Sequence, residues 1–112
     1  MDILFVSGKL QKTFNSDKLL VRQYGGVQAK LIRRRLDELQ ASTSLEQIRS
    51  LPQARCHELK GNREGQLSVD VKNPYRLLFR PIGNPVPRKP DGGLDWEKVD
   101  SIMILEVDDT HE

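Results

Sequence analysis

Hydrophobic and polar positions alternate most cleanly over residues 66–72. Leu67, Val69 and Val71 fall on one side, and Gln66, Ser68, Asp70 and Lys72 on the other. A period of two predicts a β-strand with one face buried. A strand over residues 55–60 precedes it and ends in the glycine-bounded turn Gly61-Asn62-Arg63-Glu64-Gly65. Asn73-Pro74 then breaks the chain. A third strand follows over residues 75–80, with Tyr75, Leu77 and Phe79 on one side and Arg76, Leu78 and Arg80 on the other. Short antiparallel connections fix the register, so parity decides which side chains face the core. His57, Lys60, Arg63 and Arg76 are thereby placed on neighbouring strands or the turn between them.

Residues 3–6 are apolar throughout, which predicts a central strand or one covered on both faces. A short helical turn is expected over 9–14, a capping cluster at Asn15-Ser16-Asp17, and more helix over 18–24. Gly25-Gly26 leads into a longer helix over 27–40. Val27, Leu31, Ile32, Leu36 and Leu39 form its apolar arc, with Lys30, Arg33, Arg34 and Asp37 opposite. These helices should pair antiparallel and pack on the sheet. Thr43 or Ser44 is placed to cap a short turn over 45–51, which Pro52 closes. Residues 81–93 hold four prolines and three glycines without periodicity and predict a stiff loop with Arg88 and Lys89 at its tip. A tolerated insertion is favoured there over a functional loop. Residues 101–107 form the last strand.

The order is one strand, two to three helices, then four strands. That predicts an α+β domain spanning residues 1–112. One helical layer would cover a mixed, mostly antiparallel sheet of about five strands. One sheet face is left partly open, a ready binding surface.

A chain of 112 residues fits one domain and can bury roughly 65% of its unfolded surface without a disulfide or metal. Cys56 is the only cysteine, which excludes an internal disulfide and points to a reducing cytoplasm. Met1–Val6 has no basic n-region and reads as a strand, not a signal peptide. No stretch approaches the roughly 20 apolar residues of a membrane span. The net charge of +2 hides an asymmetry: residues 1–60 balance at +5 and residues 61–112 at −3. A one-sided positive surface and an ordinary charged exterior both fit that pattern.

His57 is a candidate general acid or base, although a half-exposed structural histidine is the commoner role. Lys60 differs from it by an odd number of positions, so the two share a site only if the turn re-aims Lys60. Arg76 could hold a phosphate through two N–H groups, or pair across the strands with Asp70 or another acid. Arg80 extends the same basic stripe. Arg63, at a hairpin tip, and the run Arg33-Arg34-Arg35 are ordinarily solvated. No metal-ligand spacing, phosphate-cradling glycine loop or nucleophile elbow is present, so no metal or cofactor is expected.

The residues His57-Glu58-Leu59-Lys60-Gly61, Arg63, Gly65, Ser68-Val69-Asp70 and Pro74-Tyr75-Arg76-Leu77 resemble the signature of the HigB toxins. These are plasmid-maintenance killer proteins of the RelE/ParE superfamily. The resemblance covers essentially the whole chain. It implies a RelE/ParE-like fold and a type II toxin that cuts messenger RNA on the ribosome. It also implies a HigA-like helix-turn-helix antitoxin as partner. The family tail is Asp-Tyr-His; here the residues are Asp109, Thr110 and His111. Carried over, the catalytic positions are His57, Lys60, Arg76, Asp109 and His111, with Arg63, Arg80, Arg33 and Arg34 as RNA or ribosome contacts. Threonine at 110 removes an aromatic group that could stack on a base.

The implied reaction is attack of a 2′-OH on the adjacent phosphate, giving a cyclic phosphate and a free 5′-OH. Two histidines would supply acid and base, and Arg76 and Lys60 charge stabilisation. Two rivals share the fold: a ParE-like toxin that inhibits DNA gyrase by binding, and a degenerate member that acts only by binding.

Overall fold

The computed structural model describes residues 1–110. Its centre is an antiparallel trio of strands joined by short links. β2 (His57–Glu58) pairs with β3 (Leu67–Asp70), β3 with β4 (Tyr75–Pro81), and β4 with β5 (Ser101–Asp109). β1 (Asp2–Phe5) adds to β5 in parallel, so the sheet order is β1-β5-β4-β3-β2. The alternation read over 66–72 holds on its apolar side, although Ser68 on the other side is fully buried as well. Leu67, Val69, Val71, Leu77 and Phe79 are buried with Ile102 and Ile104 in one apolar core.

β1 is not the central strand its apolar run predicted. It is an edge strand, with β5 as its one neighbour among the described residues. Ile3 and Phe5 pack on the core, while Leu4 and Val6 stay 48% and 54% exposed. The helices cover one sheet face, so a wholly apolar strand at the edge leaves its alternate side chains in water.

Among the described residues four helices form, each over a segment read as helical: α1 (Gly8–Phe14), α2 (Asp17–Tyr24), α3 (Gly26–Ala41) and the five-residue α4 (Leu45–Arg49). Ser7 and Ser16 start the first two, their hydroxyls accepting from Leu10 N at 3.1 Å and Leu19 N at 3.2 Å. Gly25, at φ +81°, turns α2 into α3 through a region that favours glycine. Phe14 sits edge-on to Phe5 and Tyr24, at centroid distances of 5.9 and 6.1 Å.

The face α3 buries differs from the predicted arc. Val27 is 64% exposed, whereas Gln28 and Arg35 are buried beside Ile32, Leu36 and Leu39. Hydrogen bonding decides it: Gln28 Oε1 accepts from Lys72 N at 2.7 Å. Arg35 donates to the backbone carbonyls of Asp70 (2.7 Å) and Gln53 (3.0 Å) and to Glu38 Oε1 (2.8 Å). Hydrogen-bonded polar groups can be buried at little cost, and these two tie the helical layer to the β3 end of the sheet.

β2 is two residues long, not the six predicted. Arg55, at φ +47°, breaks extended structure before it, and a 3-10 turn at Gly61–Arg63 ends the link after it. The proline-rich segment is also more ordered than predicted. Pro81 belongs to β4, and Arg88 pairs with Leu94 in an isolated antiparallel bridge around the Lys89–Gly93 turn. Leu94 and Trp96 anchor its far side in the core, and the Arg49 guanidinium lies 3.9 Å over the Trp96 ring.

Candidate active site

Residues directly opposite one another in a sheet share a face. His57 stands opposite Ser68, Asp70 opposite Arg76, and Arg76 opposite Asp108. All lie on the face turned away from the helices. There Arg76 Nη1 is 3.1 Å from His57 Nε2, and Arg76 Nε is 3.4 Å from Asp70 Oδ1. Arg55 Nε lies 3.6 Å from Asp70 Oδ2. The circuit closes through the backbone, where His57 Nδ1 is 3.0 Å from Arg55 O.

A guanidinium can only donate. His57 Nε2 must therefore accept from Arg76, and the imidazole proton sits on Nδ1, donating to Arg55 O. The basic nitrogen Nε2 is the one that meets Arg76 on the open face. His57 is exposed, while the Arg76 and Asp70 side chains are only 18% and 23% exposed. A cavity of about 100 Å³ opens beside them, lined by Arg55, Asp70, Val71, Asn73, Tyr75 and Arg76.

The other expected residues divide between this site and elsewhere. Lys60 precedes the 3-10 turn and lines a larger cleft of about 840 Å³ that also holds Arg80, Arg88, Glu58 and Glu64. Arg80 Nη2 rests 3.3 Å from Met103 Sδ. Arg63 is half-buried and paired: its Nη2 meets Asp108 Oδ2 at 2.6 Å, spanning β3 and β4. Asp109 stands opposite Tyr75, so strand alternation gives the position opposite Arg76 to Asp108. The backbone N–H of Asp109, and then Arg63, hold the Asp108 carboxyl below the usual carboxylate range. His111 lies outside the described residues.

Arg33 and Arg34 are on α3, in the helical layer and not on the open face. Arg33 is half-buried, bonding Asp17 Oδ1 at 3.0 Å and the carbonyl of Phe14. Arg34 is exposed and Arg35 buried, so the run is not one solvated face. The Cys56 thiol is pushed up to about 12, chiefly by burial and further by Glu58, against the opposing effect of Arg49. It is a poor nucleophile at neutral pH.

Three residues of the circuit and its surroundings, Arg55, Asp70 and Asp108, were not singled out as site residues from sequence. Parity could have found Asp70, which shares its side of the 66–72 alternation with Ser68. Arg55 acts through a left-handed backbone that no neighbouring residue announces.

Residues 4–87 match the family of HigB-like toxins, the RelE-like toxin of the type II toxin–antitoxin system HigB. The chain belongs to this family. As a HigB-like toxin it is the toxin half of a type II pair, and an antitoxin is its partner. The matched region holds His57, Lys60, Arg63, Arg76 and Arg80; Asp109 and His111 lie beyond it. The fold is similar to that of a YoeB/ParE toxin from Agrobacterium tumefaciens, with a TM-score of 0.57 and 10% identity over 99% of this chain and 100% of that one. At that identity the likeness shows the fold alone. No curated protein matches the chain. Among the described residues, no helix of this HigB-like toxin is long and apolar enough to cross a membrane.

Proposed function

We propose that this HigB-like toxin is a ribosome-dependent messenger RNA endonuclease that arrests translation and growth in the cytoplasm, held in check by a HigA-like helix-turn-helix antitoxin. The observation that carries the reading is the Arg76 Nη1 contact with His57 Nε2 at 3.1 Å on an open sheet face. A basic imidazole nitrogen and a guanidinium suited to a phosphate thereby lie within hydrogen-bond reach of each other, where one ligand can meet both.

In the proposed reaction the scissile phosphate draws the Arg76 fork toward its non-bridging oxygens. His57 Nε2, released from that contact, takes the proton of the 2′-OH as its oxygen bonds to phosphorus. The bond from phosphorus to the 5′ oxygen breaks, and His111 gives that oxygen a proton. The products are a 2′,3′-cyclic phosphate and a free 5′-OH. Arg76 offsets the negative charge that builds on phosphorus, and removing such a group typically costs about 3 kcal/mol of transition-state stabilisation. Side chains supply acid, base and charge, so the proposed steps use no metal or cofactor. A domain this small has little surface with which to align RNA, which supports presentation of the message by the ribosome.

The test is induction of the toxin without its antitoxin, with the ends of cellular messages mapped. Growth arrest with new cuts inside translated messages supports the reading. Intact messages with ongoing translation and damaged DNA would replace it with gyrase inhibition. Normal growth with intact antitoxin binding would leave a binding-only protein.

A further inference from the structure

Asp70 is held by hydrogen bonds through its backbone, while its carboxylate, whose buried Oδ1 accepts no hydrogen bond, meets its neighbours as ion pairs. Its backbone N–H donates to Ala54 O at 2.8 Å, and its carbonyl accepts from the buried Arg35 Nε at 2.7 Å. The residue is thus fixed by the helical layer behind the sheet and by the segment ahead of β2. Its carboxylate, on the opposite side, meets two guanidiniums. Oδ1 faces Arg76 Nε at 3.4 Å and Oδ2 faces Arg55 Nε at 3.6 Å. In both contacts the nearest nitrogen is Nε, the inner edge of the guanidinium. On Arg76 the outer Nη1 meets His57 Nε2.

We propose that Asp70 is a positioning residue, which aims the Arg76 fork at His57 Nε2 and, with Arg55, keeps His57 in the tautomer whose Nε2 is free of a proton. Arg55 contributes twice. Its side chain completes the carboxylate's second contact, and its left-handed backbone turns the carbonyl to His57 Nδ1. A non-glycine residue at φ +47° is strained, and such strain clusters at working sites. Arg76 alone, on an unbraced side chain, could turn away from the imidazole. Braced at Nε, it presents a fixed fork, the arrangement in which a small misplacement costs on the order of 100-fold in rate. The inference rests on the nuclease reading for its kinetic consequence and not for its geometry.

The test compares wild type with Asp70→Asn and Asp70→Ala. Asp70→Asn keeps the shape and both backbone bonds and loses the charge. Two readouts separate positioning from mere folding. The first is the ¹⁵N chemical shifts of His57, which report the tautomer without any substrate. In wild type they should show protonated Nδ1 and bare Nε2, and in both variants the population should move toward protonated Nε2. The second is message cleavage on ribosomes: turnover should fall on the order of 100-fold, with the half-saturating ribosome concentration nearly unchanged. An unaltered His57 tautomer in folded Asp70→Asn, or wild-type turnover in either variant, overturns the proposal and leaves the nuclease reading standing. A shifted tautomer with a wild type that cuts no message supports the role of Asp70 and overturns the nuclease reading instead.

Discussion

Arg35 Nε donates to the backbone carbonyl of Asp70 at 2.7 Å, across 35 residues of sequence, and so couples the longest helix to the strand that braces the candidate site. The guanidinium is almost wholly buried and also serves Gln53 O and Glu38 Oε1. Arg35→Ala would leave a half-buried carboxylate and two carbonyls without their donor. It is expected to destabilise the fold by about 3–5 kcal/mol, the usual cost of breaking a buried charge pair. Arg35→Lys should recover little, because one ammonium cannot span three acceptors. Urea unfolding measures both, and a loss under about 1 kcal/mol for Arg35→Ala would contradict the assignment.

The Arg63–Asp108 bridge predicts an acid-sensitive site. The Asp108 carboxyl is held low first by the Asp109 backbone N–H and then by Arg63. A carboxyl lowered in the folded state adds stability above its unfolded value, and that stability is lost as pH falls through the folded value. Asp108→Asn should therefore flatten the fall in stability below the ordinary carboxylate range and leave the neutral-to-alkaline profile unchanged. In a double-mutant cycle with Arg63→Ala, the two losses should not add. Additive losses, or an unchanged acid limb, would remove the bridge from the account.

Cys56 gives the opposite pH dependence. Its thiol, raised to about 12, favours the native state below the unfolded value, and that contribution drains away as pH climbs toward the folded one. At pH 8 the native thiolate fraction is about a thousand-fold below that of an unfolded cysteine, so a disulfide reagent should modify native Cys56 correspondingly slowly. Equal rates for native and urea-unfolded protein would refute this.

Much of the fold was legible because parity and helical spacing are enforced by burial. Leu67, Val69, Leu77 and Phe79 could only point one way, and the HigB-like motif around His57 named the superfamily. β1 was misread because an unbroken apolar run looks the same whether a strand is central or stranded at an edge. Val27 was misread because apolarity was taken as the sole reason for burial, whereas the bonded groups of Gln28 and Arg35 occupy that face. At the site, His57 and Arg76 were legible and do meet. Lys60 lines a different cleft, Arg33 braces helices, and Asp108, not singled out from sequence, stands opposite Arg76. Register and side-chain reach decide those placements, and neither is written in residue type.

In the proposed reaction His57 and Arg76 act together on a ribonucleotide linkage. Single-turnover cleavage on purified ribosomes carrying a defined message tests it most directly, with wild type, His57→Ala, Arg76→Ala and the double variant each shown to be folded. The account predicts losses on the order of 100-fold or more for each single variant, a double variant little worse than either, and wild-type products ending in a 2′,3′-cyclic phosphate. Folded His57→Ala and Arg76→Ala that cut at the wild-type rate would contradict it.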